Sequence, residues 1–171
     1  ALIPVQSFEK PLYSQTFLSR NVDFERNSPV AYRLHMTSQY RFSGDSAQAI
    51  VPGVEFCDIL EETELPADIK ALSVKIDLMV KVDEAPGGKT PSLVYSISGK
   101  DGKSILYKSD QVKLPSGLIP PLKRWVPMSF TLPFDPTILE GFNGGSIKIY
   151  FWNTSKATMW YDDLSVSLRK R

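Results

Sequence analysis

The stretch ALSVKIDLMVKV, residues 71–82, decides the fold class. Leu72, Val74, Ile76, Leu78, Val80 and Val82 fall on one parity, and mostly polar residues fall on the other. An extended chain sends alternate side chains to opposite faces, so this period of two predicts a half-buried β-strand. Two further segments repeat the pattern. Val126, Met128, Phe130 and Leu132 alternate with Trp125, Pro127, Ser129 and Thr131, and Leu164, Val166 and Leu168 alternate with Asp163, Ser165 and Ser167. One apolar and one polar face per strand is what antiparallel sheets with one solvated side require, and the chain is expected to be an all-β, antiparallel β-sandwich.

On the same reading, strands are expected at Ala31 to Met36, Gln39 to Phe42, Ala47 to Val51, Leu93 to Ser98, Ser104 to Lys108, Ser146 to Trp152 and Trp160 to Leu168. Prolines and glycines, 13 and 10 in number, fall between the alternating runs, as many short strands with turns demand. Asp101-Gly102 stands between two strands as a hairpin turn, where glycine tolerates a positive φ. A helical turn or two is expected only at Pro66 to Ala71 and at Pro136 to Gly141, the second ended by Gly141. Pro115 to Pro121 carries three prolines and predicts a surface connection. The acidic segment with Asp58, Glu61, Glu62 and Glu64 reads as a solvated loop. A length of 171 residues suits a single domain, 1–171, in which the first 21 residues form an extra strand or a wrapping loop.

Composition narrows the functions available. Hydrophobic residues at 42% and charged residues at 23% are those of an ordinary globular domain, and no apolar run is long enough to span a bilayer, so membrane insertion is not expected. Basic and acidic residues number 20 and 19 and are interspersed, without the electropositive footprint of a nucleic-acid binder. The one basic run, Arg169 to Arg171, reads as a solvated tail. Cys57 is the only cysteine, which leaves no intramolecular disulfide or thiolate metal cluster and predicts a buried structural thiol. The start at Ala1, without Met or an apolar signal segment, suggests processing or trimming.

No residue constellation identifies a reaction. The single histidine, His35, has no marked nucleophile or acid beside it and reads as a strand residue satisfied by local hydrogen bonds. Gly144-Gly145 precedes a strand and reads as a turn, not a phosphate loop. Paired carboxylates, which glycoside hydrolysis needs, are supplied by Asp58, Glu61, Glu62 and Glu64 in one segment, where consecutive acids normally stay in solvent. Asp162 shares the parity of Leu164, Val166 and Leu168, so it is expected to face inward, where an unpaired carboxylate needs compensation. Backbone donors, an Arg or Lys, or a hard cation such as Ca2+ would each provide it. Among the aromatics, Tyr150 and Trp152 have the parity opposite to Ile147, Ile149 and Phe151, and Tyr161 has the parity opposite to its strand's core residues. All three are expected to face outward, where an aromatic ring offers a flat apolar surface to a sugar.

Three fragments in order carry a resemblance: Asp23-Phe24-Glu25, Phe42-Ser43-Gly44-Asp45-Ser46 and the closing Trp160-Tyr161-Asp162-Asp163-Leu164-Ser165-Val166. Together, over roughly Val22 to Leu168, they resemble the galactose-binding-like jelly rolls that include many carbohydrate-binding modules. Ile149-Tyr150-Phe151-Trp152-Asn153 is similar to a segment common in exported proteins of the Bacteroidetes. The resemblance implies that first and last strands lie side by side and that a structural Ca2+ ties them to the Ser-Gly turn, with Glu25 and Asp162 as ligands and Ser43 or Asp45 contributing oxygen atoms. Tyr161 departs from the aliphatic residue often found there. The resemblance also implies export to the periplasm, the cell surface or the medium. The expected function is a non-catalytic module that binds glycan through Tyr150, Trp152 and Tyr161. The alternatives are a structural or protein-interaction domain with a partner at the cell surface, which would keep its aromatics inside and its surface flat, and, third, a glycoside-processing enzyme.

Overall fold

A computed structural model describes residues 15–24, 36–37, 41–44, 46–83, 89–115, 118 and 122–171. Among the described residues ten strands run in chain order as β1 (Gln15–Val22), β2 (Met36–Thr37), β3 (Ala47–Ile50), β4 (Phe56–Leu65), β5 (Leu72–Val82), β6 (Ser92–Gly99), β7 (Ser104–Gln111), β8 (Val126–Pro133), β9 (Gly145–Trp152) and β10 (Met159–Lys170). They form a six-stranded sheet ordered β2-β3-β10-β5-β8, with β1 also on β10, and a four-stranded sheet ordered β4-β9-β6-β7. Every pairing is antiparallel. The interleaved orders β3-β10-β5-β8 and β4-β9-β6-β7 are those of a jelly roll, two Greek keys folded into facing sheets.

The core lies where the two inner faces meet. β5 contributes all six of its apolar-parity residues, Leu72 to Val82, each 3% exposed or less. Ile147, Ile149 and Phe151 of β9, with Leu93, Tyr95 and Ile97 of β6, face them from the other sheet. The opening and closing strands do lie side by side, β1 against β10 with Val22 opposite Leu164, and Phe24 packs edge-on against Tyr161 with ring centroids 5.3 Å apart.

Local chemistry accounts for most connections. In the β6–β7 hairpin Gly102 has φ +76° and donates to the carbonyl of Gly99, while the Asp101 carboxylate accepts from the Lys103 amide. Pro136–Leu139 forms a single 3-10 turn, started by the Asp135 carboxylate accepting from the Thr137 amide and followed by Gly141 at φ +73°. Residues 66–71 form turns instead of the expected helix.

The acidic segment is the larger departure, since Phe56–Leu65 is a strand and not a loop. Two bulges, between Asp58 and Leu60 and between Leu60 and Thr63, break the alternation. Consecutive Ile59 and Leu60 are therefore both buried, at 1% and 0% exposure. The expected strands at 31–36 and 39–42 lie mostly outside the described residues, as does His35.

Candidate functional site

The outer face of the four-stranded sheet gathers aromatic side chains that are far apart in sequence. β9 is paired on both sides, so its alternate residues Ser146, Lys148, Tyr150 and Trp152 form a straight outward row. On β4, Phe56 stands opposite Trp152 and Asp58 opposite Tyr150. On β6 the matching positions are Ser92, Val94, Ser96 and Ser98, and on β7 Tyr107 lies across from Ser96. The face is thus carried by Phe56, Tyr107, Tyr150 and Trp152, separated by short polar side chains.

Geometry within the cluster is specific. The Phe56 ring stacks on Trp152 at 6.2 Å with 20° between planes, and stands at 76° to Tyr150 at 5.6 Å. Phe56 and Tyr107 are 49% and 55% exposed. Tyr150 has the Tyr107 phenol as its hydrogen-bond partner, and Val94, opposite Tyr150 on β6, is fully buried on an outward-facing parity. Burial, reinforced by that hydrogen bond and by the Tyr107 phenol, raises the Tyr150 pKa above the ordinary 10.0. The Lys148 ammonium lies 5.6 Å from the centre of the Tyr150 ring.

Beyond Lys148 the face opens into a cleft of about 650 Å³ lined by Glu62, Glu64, Ser98, Lys100, Gly145 and Ser146 among others. Gly145 is required there: a Cβ would sit 1.9 Å from the Ser98 carbonyl oxygen. The Ser146 hydroxyl donates to Glu62 at 2.9 Å. Glu62 and Glu64 are both exposed, unlike the buried acid that glycoside hydrolysis uses as a proton donor.

The expected site residues separate. Tyr150 and Trp152 face outward. Tyr161 does not: it is fully buried, with its ring 5.2 Å from Phe151 and its hydroxyl donating to the Asp58 carbonyl at 3.0 Å. The reason is a bulge. The β10–β5 register slips between Asp162 and Ser165, and Asp163 takes φ +48°. Parity counted back from Leu164 is therefore inverted at Tyr161, which pairs with core residue Val80. Asp162 is inverted too. It lies opposite Met79, on the outer parity, and is buried beneath residues 42–43 instead of in the core.

Asp162 Oδ2 accepts from the Phe42 and Ser43 amides at 2.9 and 3.1 Å, and Oδ1 accepts from the Asp163 amide at 2.8 Å. Burial still raises its pKa above the ordinary 3.8, against these donors and with a smaller push from the Asp163 charge. The Ser43 hydroxyl donates to Asp163 at 2.5 Å. Glu25 and Asp45 lie outside the described residues. Among the described residues no three His, Cys, Asp or Glu side chains converge on a metal position, and Asp162 and Ser43 alone fall short of the roughly six to eight oxygens that Ca2+ takes.

Alternation did not single out Phe56 and Tyr107. Phe56 opens a strand whose periodicity the bulges hide. Tyr107 sits on an edge strand exposed on both faces, where apolar and polar residues do not alternate.

No protein-family model and no curated protein matches the chain. Among solved structures it is similar to infectious bursal disease virus Gt strain at TM-score 0.50 and 13% identity, over 93% of this chain and 34% of the viral one. The CBM22-1 xylan-binding domain of Paenibacillus barcinonensis Xyn10C is similar at TM-score 0.47 and 12% identity, over 93% of this chain and 97% of that one. The CBM22-1-CBM22-2 tandem domain of the same protein gives TM-score 0.49 and 13% identity, over 95% and 48%. At these identities the likeness concerns the sandwich fold alone.

Proposed function

We propose that this domain is a non-catalytic binding module that recognises carbohydrate on the outer face of its four-stranded sheet. The carrying observation is the exposed cluster of Phe56, Tyr107, Tyr150 and Trp152, drawn from three strands and set among serines, Asp58 and Lys148. Rings offer apolar faces to the C–H surface of a sugar, and the interspersed polar groups offer donors and acceptors to its hydroxyls. The reading rests on this face and not on the xylan-binding neighbours, because a shared jelly roll does not transfer a ligand. Export to the periplasm, cell surface or medium belongs to the same proposal and follows from the family resemblance and from the similarity of residues 149–153 to a segment of exported proteins.

A glycan array followed by affinity electrophoresis tests it. The domain should be retained by at least one polysaccharide, and Trp152→Ala or Tyr107→Ala should weaken retention about tenfold or more. Retention by none would remove the reading and leave a protein-interaction face, for which the same exposed Tyr and Trp residues would be anchors. A Ca2+ ion completed by Glu25 and Asp45 has a separate test: melting in Ca2+ should exceed melting in chelator, and coincident curves would dismiss the ion.

A further inference from the structure

The aromatic cluster and the cleft share one face and one strand. From Trp152 to Ser146 the β9 row runs six residues, about 20 Å at the usual rise per residue. At one end Phe56 stacks on Trp152; at the other lies the 650 Å³ cleft lined by Gly145 and Ser146. The two ends differ in chemistry. The cleft presents carboxylates, hydroxyls and the Lys100 ammonium, and among the described residues neither Glu64, Lys100 nor Lys148 is taken up in an ion pair. Such groups are free to exchange water for the hydroxyls of a ligand. Ser96 and Ser98, on the neighbouring strand, flank Lys148 and Ser146 of β9 with short hydroxyl side chains.

We propose that the cleft is a second, polar subsite, and that a linear oligosaccharide lies lengthwise along β9 with one unit against Trp152 and Phe56 and a distal unit among Glu64, Lys100 and Ser98. This rests on the carbohydrate reading and adds to it a ligand of defined extent: a chain long enough to reach both ends binds better than one that covers the rings alone.

The test is isothermal titration of the whole domain with xylo-, cello- and manno-oligosaccharides from disaccharide to hexasaccharide. For the series that binds, affinity should climb with length by about tenfold overall and then level off. Lys100→Ala and Glu64→Gln should lower the affinity for the hexasaccharide towards that for the shortest ligand bound, and leave the shortest ligand unaffected. Ser98→Trp, which fills the cleft, should do the same, with unchanged melting of each variant confirming the fold. Length-independent affinity, or cleft variants silent at every length, would overturn the second subsite while Trp152→Ala still abolished binding and upheld the module. Failure of every oligosaccharide to bind wild type would overturn the second subsite, and failure on the glycan array as well would remove the module.

Discussion

β9 and β10 are consecutive strands, each paired on both edges, and each carries aromatic residues near one end. β9 keeps an unbroken ladder with β6 from Gly145 to Trp152 and turns Tyr150 and Trp152 to solvent. β10 shares one edge between two partners, β3 along Met159–Tyr161 and β1 along Leu164–Lys170, and at that junction its register slips. The extra residue sends Tyr161 into the core and leaves the Asp162 carboxylate, opposite Met79 of β5, on the outer face, where the amides of residues 42 and 43 cap it. β9, without an extra residue of its own, holds its faces constant. A strand that changes neighbours needs a bulge and a polar group to satisfy the gap, and its two halves present opposite parities.

The sharpest way to break this contrast is at the buried ring. Tyr161→Ala removes a side chain packed against both Phe24 and Phe151 and should cost about 4 kcal/mol in denaturant unfolding. Tyr161→Phe keeps the packing and loses only the bond to the Asp58 carbonyl, at a cost of about 1 kcal/mol. An alanine variant as stable as wild type would mean that the ring is not in the core.

Asp162→Ala comes next. It leaves three amides without their acceptor and should cost about 3 kcal/mol. Its pH dependence has a definite sign. Because burial raises the folded pKa above 3.8, folding favours the protonated carboxyl; that contribution is complete below 3.8 and is lost as pH rises through the higher folded value. Wild type should therefore lose stability over that window relative to Asp162→Asn, which does not titrate. The opposite slope would mean that the three amides outweigh desolvation.

The contrast also marks what could be read from residues alone. Alternation located β5, β8 and β9 because none of them carries an extra residue of its own; where their ladders slip, the extra residue lies in the partner strand, β10 or β4. It failed at β4, where two bulges put Ile59 and Leu60 side by side in the core and made a strand resemble an acidic loop. It inverted Tyr161 and Asp162 for the same reason. Half of the aromatic face, Tyr150 and Trp152, was legible because β9 is regular. Phe56 and Tyr107 join it only through strand order, which places β4 and β7 in the same sheet as β9, and no local pattern encodes that.

Gln48 offers a smaller effect of the other sign. It pairs with Tyr161 across the β3–β10 ladder, is 2% exposed, and donates from Nε2 to the Cys57 sulfur at 3.7 Å while its Oε1 has no partner among the described residues. Cys57 gives little in return: desolvation pushes its thiol up to about 12, so it stays a neutral, weak hydrogen-bonding group. Gln48→Met keeps the shape and removes the orphaned carbonyl, and thermal unfolding should show a gain of up to about 1 kcal/mol. A loss of stability would show that the amide is satisfied in solution, for instance by a buried water.

The smallest stability effect is expected at the surface ring, and that smallness carries the argument. Trp152→Ala deletes as large an apolar side chain as any in the core. Yet Trp152 is only partly buried and its ring partner Phe56 is itself half exposed, so the change should cost far less than Tyr161→Ala, about 0.5 kcal/mol. If the variant melts with wild type while losing glycan retention, the outer rings of β9 and β4 serve recognition and not the fold. A loss approaching that of Tyr161→Ala would instead make Phe56 and Trp152 a second hydrophobic cluster outside the sandwich, and the exposed aromatics would need no ligand to account for them.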